Sequence, residues 1–195
     1  MSVVIDKNPD WLSDIDNNLF RDSDFVDIFT FFVINSPCST LSRRRISLYD
    51  YGWNTPWRKP FSLRRQLQRA SSNYKLLHSA DNVDSVEAAL EKASLDDENW
   101  TNANMESICV YDCEGNQFLS VFYHIRNSLA HGRFNIFQED EDWIFYMEDA
   151  RGLRRREKNA GYLEEEHQLL TARMVLRKST LMNWIELISH GEAPF

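Results

Sequence analysis

The sequence predicts a mainly α-helical fold that contains one small antiparallel β-hairpin. Apolar residues recur at three- and four-residue steps in several segments, which is the period of an amphipathic helix. Only two short β-prone runs lie between the last two predicted helices. The chain has 195 residues, of which 43% are hydrophobic, so it is long enough to bury a core without disulfides or metals. We therefore expect a single domain over residues 1–195.

The first half of the chain predicts helices separated by one long connection. In residues 10–32 the apolar residues recur with a helical period that is interrupted near 21–24. This pattern predicts either one broken helix or two helices. Residues 35–60 are rich in Pro and Ser and show no period, so they form a long loop. Residues 62–77 then predict a basic amphipathic helix, and residues 84–95 predict a helix with an acidic outer face.

A longer helix over about 116–132 follows a short predicted strand at 107–112. Asn116 suits the N-cap of this helix, and Gly132 suits the left-handed position just past its end. Further on, the runs 143–148 and 169–176 predict two strands that pair as a hairpin over about 143–176.

The last predicted helix covers about 180–190. Ser179 or Thr180 is expected to cap its start, and Gly191 to end it.

Charge and composition limit the classes of function. The formal net charge of −8 argues against a protein that coats duplex nucleic acid indiscriminately, because such proteins bind phosphate through many cations. Basic residues nevertheless concentrate between Arg43 and Lys75, which predicts either a solvated charged surface or an anion-binding one. The sparse cysteines suit a reducing compartment. Without an apolar run of 18 residues or a secretory signal, we expect a cytoplasmic protein with no membrane segment.

The helix over 116–132 carries two different faces. With a turn of about 100° per residue, one face is apolar and predicted to be core, and another carries a polar line. The apolar face comprises Phe118, Phe122, Ile125 and Leu129; the polar line comprises His124, Asn127, Ser128 and His131. Arg126 lies about 140° from His131 on an ideal helix. The two share one site only if the last turn distorts, if long side chains converge, or if a second subunit contributes.

These residue types suit RNA cleavage. Imidazole is the side chain best matched to removing a proton from a ribose 2′-hydroxyl near neutral pH, which assigns His131 as general base. Arg126 supplies a forked cation for the charge that develops on the phosphate. Asn127 could orient the imidazole or bind a phosphate oxygen. An Arg, Asn and His at this spacing can also be purely structural, so the pattern alone leaves both interpretations open.

The segment RNSLAHGRF, residues 126–134, resembles the HEPN superfamily, whose signature is R-x4-6-H. Arg126, Asn127 and His131 match that signature with four intervening residues. The resemblance is weaker through the predicted hairpin and last helix, a layout similar to small plasmid- and defence-associated bacterial HEPN proteins.

The resemblance implies an up-and-down helical bundle and a homodimer with a composite active site. It also implies metal-independent endoribonuclease activity that leaves 2′,3′-cyclic phosphate and 5′-hydroxyl ends. A toxin or defence effector, with a cognate antitoxin as partner, is one setting for that activity. The superfamily also includes members without catalytic activity. The alternative is therefore a catalytically silent dimer that binds RNA, nucleotide or a protein partner.

Further residues are candidates for contact with RNA. Beside the motif these are His124, Ser128 and Arg133, and in the basic segment they are Arg64 and Arg65. His124 could equally pack inside the protein. The aromatic residues Tyr51, Trp53 and Trp57 could stack on bases or pack the long loop onto the core.

A zinc site is the weakest candidate. Cys109 and Cys113 with His124 and His131 offer potential ligands, but the cysteine spacing at a strand end suits tetrahedral closure poorly. Buried thiols are the expected state of the cysteines. We therefore expect no metal and no cofactor.

Overall fold

The computed structural model describes residues 2–12, 19, 21–38, 45–58, 62–71, 76–97, 100–102, 105–153 and 167–192. Its centre is a six-stranded sheet with helices on both faces. The strands are β1 (Val4–Asp6), β2 (Leu76–Ala80), β3 (Ser107–Tyr111), β4 (Phe134–Glu139), β5 (Asp142–Gly152) and β6 (His167–Arg177).

The helices of the described ranges lie between and after these strands along the chain. They are α1 (Ser23–Phe29), α2 (Leu63–Ala70), α3 (Val86–Ala93), α4 (Gln117–Ala130) and α5 (Lys178–His190). A π-helical segment, Thr30–Ile34, prolongs α1. Short 3-10 turns occur at Leu48–Tyr51, Val83–Ser85 and Trp100–Asn102.

The sheet is mixed and has the strand order β2-β3-β6-β5-β4, with β1 paired to a further part of β6. All pairings are antiparallel except that of β2 with β3, which are joined through α3. The predicted hairpin is confirmed as the pair β5 and β6, whose register runs from Ile144 opposite Arg177 to Gly152 opposite Gln168.

The prediction of a mainly α-helical bundle is wrong, because the protein has an α/β fold built on this sheet. The hairpin is its centre, and β1, β2, β3 and β4 extend the sheet on either side of it. Part of the error lies in the helix predicted over 62–77, which stops at Ala70, while Leu76–Ala80 forms a strand beside β3. Strands of three to six residues have weak local signals and are stabilised by partners distant in sequence.

Two apolar clusters lie on opposite faces of the sheet. Successive strand residues point to opposite faces, so Phe145 and Met147 join the cluster of α1, α2, α4 and α5. Ile144 and Tyr146 join the second cluster, which contains α3 and Trp100. The sheet thus positions α4 on the face that carries most of the helices.

The N-terminal helical segment begins at the break predicted near residues 21–24, but its buried face differs from the predicted one. Asp22 is the N-cap of α1 and accepts a hydrogen bond from the backbone N–H of Asp24 at 2.9 Å. Phe25 and Ile28 are buried, whereas Val26, which the helical period places on the apolar face, is 47% exposed. Residues 13–18 and 20 of the predicted segment lie outside the described residues.

The described part of the loop over 35–60 packs onto the helical layer. Trp53 is buried, and its indole N–H donates to the Ile188 carbonyl at 3.0 Å. The Tyr51 hydroxyl donates to the Asn35 carbonyl at 2.6 Å, and Trp57 is partly buried against the same core. These contacts support the packing alternative for the three aromatic residues. Residues 39–44 and 59–60 lie outside the described residues.

Helix α5 connects α2 with α4. The indole N–H of Trp184 donates to the Leu67 carbonyl at 2.9 Å, and its ring meets those of Phe118 and Phe122 edge to face. The helix predicted over about 180–190 is confirmed, but it begins earlier, at Lys178. Its N-cap is Arg177 without a side-chain cap bond, so the expected cap by Ser179 or Thr180 is wrong. The Ser179 hydroxyl bonds the Asp142 carboxylate instead.

Gly191 is the position where this packing leaves no room for a side chain. Its φ is +73°, and a Cβ there would lie 2.6 Å from the Tyr51 carbonyl oxygen. Gly191→Ala is therefore expected to lower the free energy of unfolding by about 1–3 kcal/mol more than Gly115→Ala. Gly115 is the matched control, because its φ of +65° is similar and a Cβ there would meet no atom within 4 Å. Urea denaturation measures both losses, and equal losses would contradict the close approach.

No helix in the described ranges has both the length and the apolar character needed to cross a membrane.

Candidate active site

Helix α4 begins and ends as its sequence predicts. The Asn116 side chain accepts hydrogen bonds from the backbone N–H groups of Phe118 and Leu119, at 3.1 and 3.2 Å. Gly132 adopts a φ of +69° just past the helix end. The predicted apolar face is buried in full. The prediction of a helix over about 116–132 is thus confirmed, with its core side against the sheet.

The motif residues lie at the C-terminal end of α4. Arg126 and Asn127 are half-buried within the last turns, and His131 is exposed. His131 is the C-cap residue, with φ −100° and ψ 2°, and its backbone N–H donates to the Asn127 carbonyl at 2.9 Å. The ψ angle of His131 thus departs from the helical value while its helical hydrogen bond is kept, and the residue is exposed to solvent.

Asn127 joins Arg126 to a buried acid. One guanidinium N–H of Arg126 donates to Asn127 Oδ1 at 3.1 Å. The Asn127 amide nitrogen donates to Oδ2 of Asp149, on β5, at 3.2 Å. The motif pair is thus linked to the sheet through a side chain that the motif does not include.

His124 is a buried ion-pair partner of the same acid. Its Nδ1 lies 2.7 Å from Asp149 Oδ2, and its Nε2 lies 2.8 Å from the Tyr111 carbonyl oxygen. Both neighbouring oxygens are acceptors, so both ring nitrogens must donate and the ring is an imidazolium. Burial alone would lower the pKa of His124, but the Asp149 carboxylate and the Cys113 thiol, 3.7 Å from Nε2, raise that pKa to about 9.

Three of the predicted RNA-contacting residues are buried among protein partners. His124 is 1% exposed in the ion pair just described, and the Ser128 hydroxyl donates to the His124 carbonyl at 2.8 Å. Arg133 is buried and bonds the Lys7 carbonyl and the Glu148 carboxylate. Arg64 and Arg65 are exposed on α2, which packs against α5. The structure therefore brings Arg126, Asn127 and His124 together, and leaves His131 exposed at the helix end.

Asp149 is the site residue that the sequence did not reveal. The predicted strand ends at Glu148, one residue earlier, and the observed β5 has a register irregularity between Asp149 and Ala150. Glu148 binds Arg133 and Arg173, whereas Asp149 binds His124. Two consecutive acids, Glu148 and Asp149, end an apolar strand in the sequence. Because buried carboxylates need partners, this pattern could have indicated that they bind other residues.

Tyr123 and Cys113 complete the surroundings of the acid. Burial raises the pKa of the Tyr123 phenol, and the nearby Asn127 side chain opposes that rise. Cys113 lies in the turn between β3 and α4, half-buried, beside the His124 ring.

The four residues considered for zinc do not converge. Cys109 is buried on the α3 side of the sheet, where burial raises the pKa of its thiol to about 12, whereas His131 is exposed beyond α4. Among the described residues, no group of three or more His, Cys, Asp and Glu could hold a metal ion.

Comparisons of the chain with protein families, with curated proteins and with solved structures give no match.

Proposed function

We propose that this protein is an endoribonuclease whose catalytic residues are Arg126, Asn127 and His131. The observation that carries the proposal is the link from the buried Asp149 through Asn127 to the Arg126 guanidinium. This link restrains a cation on the same helix end that carries an exposed imidazole. The resemblance of residues 126–134 to the HEPN motif supports the same residues, whereas the helical bundle implied by that resemblance forms no part of the proposal.

The proposed reaction is an internal transesterification. The His131 imidazole removes the proton from a ribose 2′-hydroxyl, and the resulting oxygen attacks the adjacent phosphorus. The bond to the 5′-oxygen breaks and that oxygen takes a proton from water, which leaves a 2′,3′-cyclic phosphate and a 5′-hydroxyl. The Arg126 guanidinium stabilises the charge on the phosphorane, and the Asn127 amide keeps the guanidinium in place. None of these steps needs a metal ion.

The proposed active form is a homodimer with a composite site. Arg126 bonds Asn127 within its own helix, whereas His131 lies beyond the helix end, so a second copy could place its His131 against this guanidinium. A cyclic two-fold arrangement would bring both motifs into one cleft.

RNA is the proposed substrate, and α2 is its proposed guiding surface. Arg64 and Arg65 are exposed there in a chain whose net charge is −8, so attraction to phosphate would be local to such a surface. The proposed setting is the cytoplasm, where the protein acts as a toxin or defence effector with a cognate antitoxin.

Purified protein is expected to cleave single-stranded RNA in excess chelator, and Arg126→Ala and His131→Ala are each expected to lower the rate by roughly 10²–10⁴-fold. His190→Ala is the matched control, since His190 is also exposed at the C-terminal end of a helix. Gel analysis and end-group chemistry would identify the cyclic phosphate. Bound but intact RNA with the wild type would instead support the catalytically silent alternative.

The composite site has its own test. Arg126→Ala and His131→Ala subunits, mixed and allowed to exchange, would form one intact site per mixed dimer. We expect partial recovery of cleavage. The intact site takes Arg126 from the His131→Ala subunit and His131 from the Arg126→Ala subunit. Mixed dimers that form but stay as inactive as either parent would exclude the sharing of one site between subunits.

A further inference from the structure

The Asn127 amide is held in one orientation by two unlike neighbours. Its nitrogen faces the Asp149 carboxylate, which can only accept, at 3.2 Å. Its oxygen faces the Arg126 guanidinium, which can only donate, at 3.1 Å. Rotating the Asn127 amide by half a turn would place its oxygen against the Asp149 carboxylate and its nitrogen against the Arg126 guanidinium. Neither pair could form a hydrogen bond. The contacts therefore select a single amide orientation, and with it a preferred place for the guanidinium.

Asp149 is itself held rigidly. The residue is 5% exposed, and its backbone carbonyl accepts a hydrogen bond from the Thr171 hydroxyl at 2.9 Å. Oδ2, the oxygen that binds Asn127, also accepts from His124 Nδ1 at 2.7 Å. The β5 irregularity next to Asp149 is of the kind that redirects a side chain beside a functional site.

His124 completes a continuous path from the sheet to Arg126. Its Nε2 donates to the Tyr111 carbonyl at the end of β3, so the imidazolium bridges β3 and the acid on β5. The positive ring also neutralises Asp149, which would otherwise be a costly buried anion.

We infer that Asp149 and His124 are positioning residues for the motif, which hold Asn127 and through it the Arg126 guanidinium in the orientation used on substrate. This inference rests on the proposed ribonuclease function for its kinetic consequence. Neither residue needs to touch RNA, because both act through Asn127.

Several ionisable groups face the His124–Asp149 ion pair. Asp149 faces His124 from β5, Cys113 faces it from the turn after β3, and Tyr123 lies beside it on α4. Glu114 acts electrostatically on Tyr123, and the Arg126 guanidinium bonds Asn127. A positioning role therefore predicts that a change at Asp149 alters the alkaline limb of the pH profile, where His124 loses its proton.

Asp149→Asn tests the kinetic consequence. The variant keeps the side-chain shape but removes the charge that holds His124, and we expect kcat to fall roughly 10- to 100-fold with KM little changed. Assays well below the melting temperature of both proteins separate this loss from unfolding. Asp140→Asn, the same change at an exposed turn, is the control and should keep wild-type kcat. An unchanged kcat in Asp149→Asn would overturn the inference.

Nuclear magnetic resonance tests the positioning without any RNA. In the wild type, the side-chain amide signals of Asn127 should be sharp and slowly exchanging, and both His124 ring nitrogens should be protonated at pH 7. Asp149→Asn should shift the Asn127 and Arg126 side-chain signals, whereas Asp140→Asn should not. If the wild type cleaves no RNA, the proposed function fails while these shifts still support the positioning. Unshifted Asn127 and Arg126 signals would refute the positioning itself.

Discussion

Replacing His124 with leucine is expected to lower the free energy of unfolding by about 3–5 kcal/mol, because it breaks a buried ion pair from one side. Asp149 would keep its charge while losing its 2.7 Å partner, and the Tyr111 carbonyl would lose its donor. Urea denaturation at pH 7 measures the loss. His190→Leu, at an exposed histidine, is the control and should change the stability by less than about 0.5 kcal/mol.

The same substitution should also change the dependence of stability on pH. The folded-state pKa of His124 is about 9, above its ordinary value of 6.5, so the folded protein binds this proton more tightly than the unfolded chain. Its contribution, roughly 3 kcal/mol, is fully present below about pH 6.5 and is lost as the pH rises through 9. The wild type should therefore lose stability over that interval, and His124→Leu should lose much less.

A double variant shows whether the loss comes from the unpaired acid. Adding Asp149→Asn to His124→Leu removes the uncompensated charge, so the double variant should be more stable than the sum of the two single losses predicts. Strict additivity, or a wild-type stability that is flat between pH 6.5 and 9, would contradict a buried imidazolium at His124.

Glu148→Gln is expected to cost a similar amount, about 3–5 kcal/mol, on a different set of contacts. The Glu148 carboxylate is 1% exposed and binds both the Arg133 guanidinium and the Arg173 guanidinium, the latter at 2.9 Å. Glutamine keeps the length of the side chain but leaves two largely buried cations without a counter-charge.

The loss should also loosen the segments that the two arginines hold. Arg133 donates to the Lys7 carbonyl after β1, and Arg173 donates to the Leu95 carbonyl after α3. Urea denaturation measures the global loss, and hydrogen exchange should show faster opening at β1. Glu141→Gln, the same change at an exposed turn, is the control. A loss in Glu148→Gln no larger than in that control would show that the pair of cations needs no carboxylate.

The elements that sequence reasoning predicts well are those whose signals are local. Helix α4 has an Asn at its start, a Gly just past its end and a continuous apolar face between them, and all three features occur in the structure. The β5 and β6 hairpin is also predictable, because each strand carries a β-prone run. The sheet around that hairpin is not, since Leu76–Ala80 becomes a strand by lying beside β3.

The candidate site divides in the same way. The sequence of one helical segment is enough to identify Arg126, Asn127 and His131 as candidates. In the structure His131 is exposed, as a candidate base requires. Asp149 lies 22 residues from Asn127 in the chain, and only the packing of α4 against β5 brings their side chains to 3.2 Å. The sequence offers His124 as a possible cleft residue, whereas the structure makes it the buried cation of an ion pair.

By itself the sequence determined where α4 begins and ends, which of its faces is apolar, and which of its residues can perform acid–base chemistry. These properties depend on caps, helical period and side-chain type, which act within a few residues. The tertiary structure alone decided that six strands form one sheet and that Asp149 joins the motif. Strand pairing and buried charge neutralisation depend on residues far apart in the chain, so their partners exist only after folding.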